Sequence, residues 1–156
     1  MKTPSVQEIK AALKELSAKE NTELVLRLAK FKKENKELLT YLLYYSGDEA
    51  VFVTEVKAEL DLEFTNVNRS NLYLAKKTIR KILRIINKYC RYSNVKQTEL
   101  ELRIYFCKEL HALNIDFKRS QVLLNLYNNQ VKKIQSVLNT LHEDLQFDYA
   151  DELSRL

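Results

Sequence analysis

The sequence has one glycine, one proline and no tryptophan in 156 residues. Globular proteins use about 7% glycine and 5% proline, so turn-forming residues are scarce in this chain. Sandwiches, barrels and hairpin arrays need many tight turns, whose backbone angles depend on these two residue types. The sequence therefore predicts an all-α protein. Two short alternating patterns, residues 51–53 and 100–104, resemble strands, but they lack flanking turn residues and are expected to be helical.

The scarcity of glycine also excludes most nucleotide-dependent enzymes. With Gly47 as the single glycine, neither a G-x-G-x-x-G motif nor a P-loop can be written. The two histidines, His111 and His142, have no metal-ligand spacing. Cys107 lies four residues before His111, and a buried thiol is expected there rather than a nucleophile. We therefore expect a protein that is not an enzyme and that has no cofactor, no metal ion and no small-molecule substrate.

Cysteine and long apolar runs are scarce too. Cys90 and Cys107 are too few for a disulfide framework, and their apolar neighbours predict buried, reduced thiols. The longest uncharged stretch, residues 120–131, has 12 residues with three asparagines, too few and too polar to span a bilayer. The first residues lack the apolar core of a signal peptide. We expect a cytoplasmic protein, and the abundance of Lys, Asn, Tyr and Ile suggests a bacterial source.

Apolar spacing and cap residues predict about seven helices. Thr3 before Pro4 is expected to cap the first helix, and Ser17 with a glutamate three residues later predicts a capping box. Gly47 is expected to end the third helix in the left-handed conformation, and Asp48 to cap the fourth.

The later helix boundaries are made by other polar residues. The fifth helix is predicted over residues 71–92, and Ser93 with Asn94 is expected to end it and to cap the sixth. The seventh helix is predicted from Ser120 to about residue 145, roughly 39 Å at 1.5 Å per residue. Residues 147–156 would continue it or form a short terminal helix.

These helices predict one domain over residues 1–156. Short polar connections favour antiparallel helix pairs, in a compact bundle or a short superhelix like an α-solenoid. Residues 22–27 resemble residues 98–103, which a duplicated helical unit would explain.

Positive charge is concentrated in one segment. The net charge is +5, yet residues 64–98 contain 9 Lys/Arg and no Asp/Glu, and each flanking segment sums to −2. On a helical wheel of the fifth helix, the basic residues lie opposite the apolar face. These candidates for an anionic partner are Lys76, Lys77, Arg80, Lys81, Arg84, Lys88 and Arg91. Like charges four residues apart repel, so a compensating negative partner is expected.

Three negative partners fit this face. The first is internal, either a set of acids in residues 49–63 or the C-terminal acids Glu143, Asp144, Asp148, Asp151 and Glu152. The second is nucleic acid, whose phosphates a basic stripe would neutralise. The third is an anionic membrane surface, which the lack of tryptophan disfavours.

The leading hypothesis is a non-enzymatic helical module that holds a protein partner or a further copy of itself. It would use the basic face or an aromatic cluster at Tyr41, Tyr44 and Tyr45, since tyrosine is enriched in interfaces. Packing at the edge of the core is the plainer explanation of that cluster. The alternative function is nucleic-acid binding, with Arg80, Arg84, Lys88 and Arg91 on phosphates.

Overall fold

The chain is all-α in the computed structural model, which describes residues 1–154 and, at Asp151, the backbone alone. The described residues form eight α-helices and a short 3-10 turn, with no strand among them. The helices are α1 (Val6–Lys14), α2 (Ala18–Phe31), α3 (Lys33–Tyr44), α4 (Glu49–Thr65), α5 (Leu72–Ser93), α6 (Lys96–Ala112), α7 (Gln121–Leu138) and α8 (Glu143–Leu153), and the 3-10 turn is Phe117–Arg119. The prediction of an all-helical protein with about seven helices is confirmed.

The described residues group into two compact units, Met1–Tyr44 and Tyr45 onward. In the first unit α2 packs against α3, and Tyr41 is the one buried residue. Several large apolar side chains of this unit remain exposed, among them Val6, Leu28, Phe31 and Leu43. The single domain over residues 1–156 stays a prediction.

Capping boxes begin the first two helices. Ser17 Oγ accepts from the backbone N–H of Glu20 at 3.3 Å, and the Ser17 N–H donates to the Glu20 carboxylate at 2.8 Å, which confirms the predicted box. Ser5 and Glu8 form the same box at α1. The prediction that Thr3 caps this helix is wrong, because its N-cap residue is Ser5. The Ser5–Glu8 pair satisfies two backbone N–H groups at the start of the helix.

Asparagine, rather than glycine, supplies the left-handed residues. The φ of Asn94 is 55° at the end of α5, and the φ of Asn114 is 52° after α6. Gly47 has no positive φ, so its prediction as a left-handed cap is wrong. Asp48 caps α4 as predicted, by accepting from the N–H of Val51. The start of α6 differs from the prediction, because its N-cap residue is Val95, which has no side-chain hydrogen bond.

The core of the second unit is built around α6, which packs against α4, α5 and α7. Helices with neighbours on several sides are apolar around much of their circumference. Leu100, Leu102 and Ile104 are accordingly at most 2% exposed, which explains their strand-like alternation inside a helix. Phe106 and Leu110 extend this core. The prediction of helix at residues 100–104 is confirmed.

Two helices occupy the place of the predicted seventh helix. The first, α7, ends at Leu138, and the side chain of Thr140 closes a turn by donating to the Val137 carbonyl at 2.6 Å. His142 then begins α8, because its Nδ1 accepts from the N–H of Asp144. The prediction of one helix to residue 145 is therefore wrong, and the last two residues of the predicted terminal segment lie outside the described residues. In residues 1–154 we find no helix whose length and apolar character would let it cross a bilayer.

Candidate functional site

The two faces of α5 are separated as the helical wheel predicts. Ala75, Ile79, Ile82 and Ile86 are fully buried against the rest of the second unit. Five of the seven predicted cations are exposed, and the other two, Lys76 and Lys88, are half-buried. The exposed ones are Lys77, Arg80, Lys81, Arg84 and Arg91.

Three cations of this face have partners within the protein. Lys81 Nζ lies 2.6 Å from the Glu63 carboxylate of α4. The other two ammonium groups lie 4.5–4.9 Å from tyrosine ring centroids, in the pairs Lys76–Tyr73 and Lys88–Tyr89. The remaining four make no ion pair with any carboxylate that the structure describes: Lys77, Arg80, Arg84 and Arg91.

The C-terminal acids that the structure describes do not cover the basic face of α5. Glu152 of α8 pairs with Lys108 of α6. Tyr149 of α8 donates to Glu101 at 3.2 Å, so α8 lies along α6. Among the described side chains, none of the C-terminal acids pairs with a cation of α5. The expectation of an internal acidic cover is therefore corrected for these residues, and the side chain of Asp151 lies outside the described residues.

A groove of about 920 Å³ lies between α5 and α7. This volume is near the upper end of the roughly 300–1,000 Å³ range of ligand pockets. Six cations line it, and no carboxylate is among its described lining residues. They are Lys76, Lys77, Arg80, Arg84, Lys132 and Lys133. The three other predicted cations of α5, Lys81, Lys88 and Arg91, lie outside it.

Sequence reasoning missed the contribution of α7. Lys132 and Lys133 are the only charged residues between positions 120 and 142, which is the signal that could have drawn attention to them. They are brought to α5 only because both helices pack with α6. The basic surface is therefore a two-sided groove rather than a stripe along one helix.

The floor of the groove is a polar network around a buried arginine of α6. Arg103 is 4% exposed and donates twice to the Glu99 carboxylate, at 2.7 and 3.0 Å. Its guanidinium also donates to Gln130 Oε1 of α7 at 2.7 Å and to Asn87 Oδ1 of α5 at 3.2 Å. Gln130 and Asn87 both line the groove. The network thus joins the two walls through one side chain.

The three candidate interface tyrosines do not form one exposed surface. Tyr41 is 5% exposed, which agrees with the plainer explanation of packing in the core, and its role in an interface stays a prediction. Tyr44 is 75% exposed, and Tyr45 is half-buried with its ring centroid 5.8 Å from that of Phe52. The aromatic cluster therefore offers one exposed tyrosine to a partner.

The cysteines and His111 are held by packing against their neighbours. Burial raises the pKa of the Cys90 thiol to about 11 and that of Cys107 to about 12, so both are protonated at neutral pH. The His111 ring packs edge-on against Phe117 and Tyr127, at 5.3 and 5.1 Å between centroids. Among the side chains that the structure describes, no three His, Cys, Asp or Glu groups are placed to share a metal ion.

No protein-family model, no curated protein and no solved structure matches this chain.

Proposed function

We propose that this chain is a non-enzymatic nucleic-acid-binding module whose site is the groove between α5 and α7. The observation that supports this proposal is the set of six Lys and Arg residues around one concave surface with no described acid among them. Lys and Arg side chains that neutralise phosphates release the cations condensed on the nucleic acid, which favours binding. Tyr73, which is 72% exposed at the start of α5, adds a ring on which a base can stack.

A protein partner with an acidic segment is the second candidate function. The same cations would pair with carboxylates as well as with phosphates. The amide groups on the floor add neutral hydrogen-bonding groups below the cations, which the edges of unpaired bases would use.

The free thiols of half-buried Cys90 and buried Cys107 support a reducing compartment such as the cytoplasm.

The test is a titration of a fluorescently labelled single-stranded oligonucleotide of about 12 nucleotides, within the site sizes of single-strand-binding folds. If all six cations contact phosphates, log K falls with log salt at a slope of about −4. Between 50 and 200 mM salt, the affinity should then fall by about 10²–10³-fold. Fluorescence anisotropy measures both quantities.

Polyglutamate of equal charge is the matched competitor in this titration. We expect it to displace the oligonucleotide only at a large excess. Oligonucleotide binding that is absent, or that does not weaken with salt, would contradict the proposal. Direct binding of polyglutamate without binding of the oligonucleotide would favour the protein partner.

A further inference from the structure

Below its cations the groove has a floor of amide groups. The role we infer for this floor rests on the proposed nucleic-acid function. Its floor carries two primary amides, Asn87 from one wall and Gln130 from the other. Both amide oxygens accept from the guanidinium of Arg103, at 3.2 and 2.7 Å. Because Glu99 holds this guanidinium with two further hydrogen bonds, both amides are fixed before any ligand arrives.

The hydrogen bonds to Arg103 fix which amide atom is left for a ligand. A guanidinium has no acceptor, so the oxygen of each amide must face Arg103 and the nitrogen must face away. Gln130 is 4% exposed, and its Nε2 has no partner among the described residues. Every side-chain nitrogen or oxygen that is fully buried in those residues has a hydrogen-bond partner. Because this Nε2 has none, it is accessible from the groove that Gln130 lines. The floor therefore offers hydrogen-bond donors.

We propose that this floor recognises the bases of single-stranded nucleic acid by their acceptor atoms, and prefers uracil or thymine to cytosine. We place the 4-position of the base against the amide donors. Uracil and thymine present the carbonyl O4 there, and cytosine presents the donor N4–H₂, which would oppose the amide donors. Exposed bases of single strands are read in this way along their Watson–Crick edges. In a duplex those edges are paired with the other strand, so a duplex would contact only the cations of the groove.

The test compares oligodeoxyuridylate with oligodeoxycytidylate of equal length. Their phosphates are identical, so the six cations of the groove bind both equally. The ratio of the two affinities therefore measures the contribution of the amides on the floor. A well-placed hydrogen-bonded pair contributes about 1–3 kcal/mol of discrimination, so we expect oligodeoxyuridylate to bind about fivefold or more tightly. A duplex containing the same uridylate strand is expected to bind more weakly than the single strand.

Gln130→Glu is the decisive variant. It keeps an oxygen for Arg103 and replaces the groove-facing donor by an acceptor, so the preference for uridylate should disappear or reverse. Asn129→Asp is the matched control, because Asn129 is exposed in the same groove and gains the same charge. It should weaken both oligonucleotides equally and keep their ratio. Should Gln130→Glu fail to fold by circular dichroism, Asn87→Asp makes the same exchange on the other wall.

The outcomes separate this inference from the proposed function. Equal affinity for the two oligonucleotides, or a ratio unchanged by Gln130→Glu, would overturn base recognition while salt-dependent binding stands. Tighter binding of the duplex would overturn the single-strand preference. Deoxyuridine monophosphate is tested as a competitor of the oligonucleotide. If it competes at equal nucleotide concentration, the ligand is a free nucleotide and recognition of a single strand is overturned. Absence of binding by every oligonucleotide would refute the proposed function itself.

Discussion

Replacing Arg103 by methionine is expected to lower the free energy of unfolding by about 3 kcal/mol, the lower end of the range for removing one partner of a buried ion pair. The lower end applies because the Glu99 side chain is 22% exposed. The guanidinium makes four hydrogen bonds, two to Glu99 and one each to Gln130 and Asn87. Methionine fills much of the volume but removes the hydrogen bonds to both amides and to the carboxylate, whose remaining cation, Lys96, lies 3.8 Å away. Urea unfolding followed by circular dichroism measures the loss as a lower midpoint.

Arg119→Met is the matched control for this variant. Arg119 also pairs with an acid, Asp116, at 2.7 Å, but its side chain is 81% exposed. Exposed pairs contribute about 0–1 kcal/mol, so the control should unfold close to the wild-type midpoint. The further change Glu99→Leu in the Arg103→Met background should recover part of the loss, since the half-buried carboxylate that lost its two hydrogen bonds is then removed. Equal effects of the two methionine variants would contradict a structural role for Arg103.

Reversing the charge of Arg80 and Arg84 together is expected to lower the affinity for a single strand by about 100-fold at 50 mM salt. Both side chains are exposed groove residues, and neither pairs with a described acid. The salt slope should fall by about 1.4, which corresponds to two lost phosphate contacts on a single strand. The fold is expected to persist, because the new glutamates gain favourable pairs with Lys76 and Lys88 four residues away.

Arg69→Glu with Lys118→Glu is the control for the charge reversal. These residues are exposed and lie outside the groove, and the change in net charge is the same. We expect a loss of only a fewfold and an unchanged salt slope, because neither residue lines the groove and no phosphate contact is removed. If both double variants lose affinity equally, binding follows net charge and the groove has no special part in it.

Much of the fold was predictable because local chemistry determines it. The Ser17–Glu20 box, the Asp48 cap and the stop at Asn94 each depend on side chains within a few residues of a helix end. The prediction of a left-handed cap at Gly47 was wrong because glycine permits this conformation without requiring it. The end of α7 was missed because the apolar spacing runs past Leu138, while the turn depends on hydrogen bonds of Thr140 and His142.

The candidate site was only half predictable. The cations of α5 follow from its own periodicity, because one helix determines which of its residues share a face. Lys132 and Lys133 join them only through packing on α6, which no local pattern encodes. Arg103 has no local sequence signal of burial, although it is 4% exposed and hydrogen-bonds to residues of α5 and α7. The acidic C-terminal segment looked complementary to α5 by charge, yet Glu152 meets Lys108 of α6 instead.

The most direct test of the central claim is to map where a bound strand lies. An oligonucleotide of about 12 nucleotides carrying 5-iodouracil is bound, irradiated and digested with the protein, and mass spectrometry identifies the crosslinked peptides. We expect crosslinks in residues 73–87 and 126–133, with Tyr73 prominent, and their loss in the Arg80→Glu, Arg84→Glu variant. Crosslinks confined to the first unit, to α4 or to α8 would contradict the groove as the binding site.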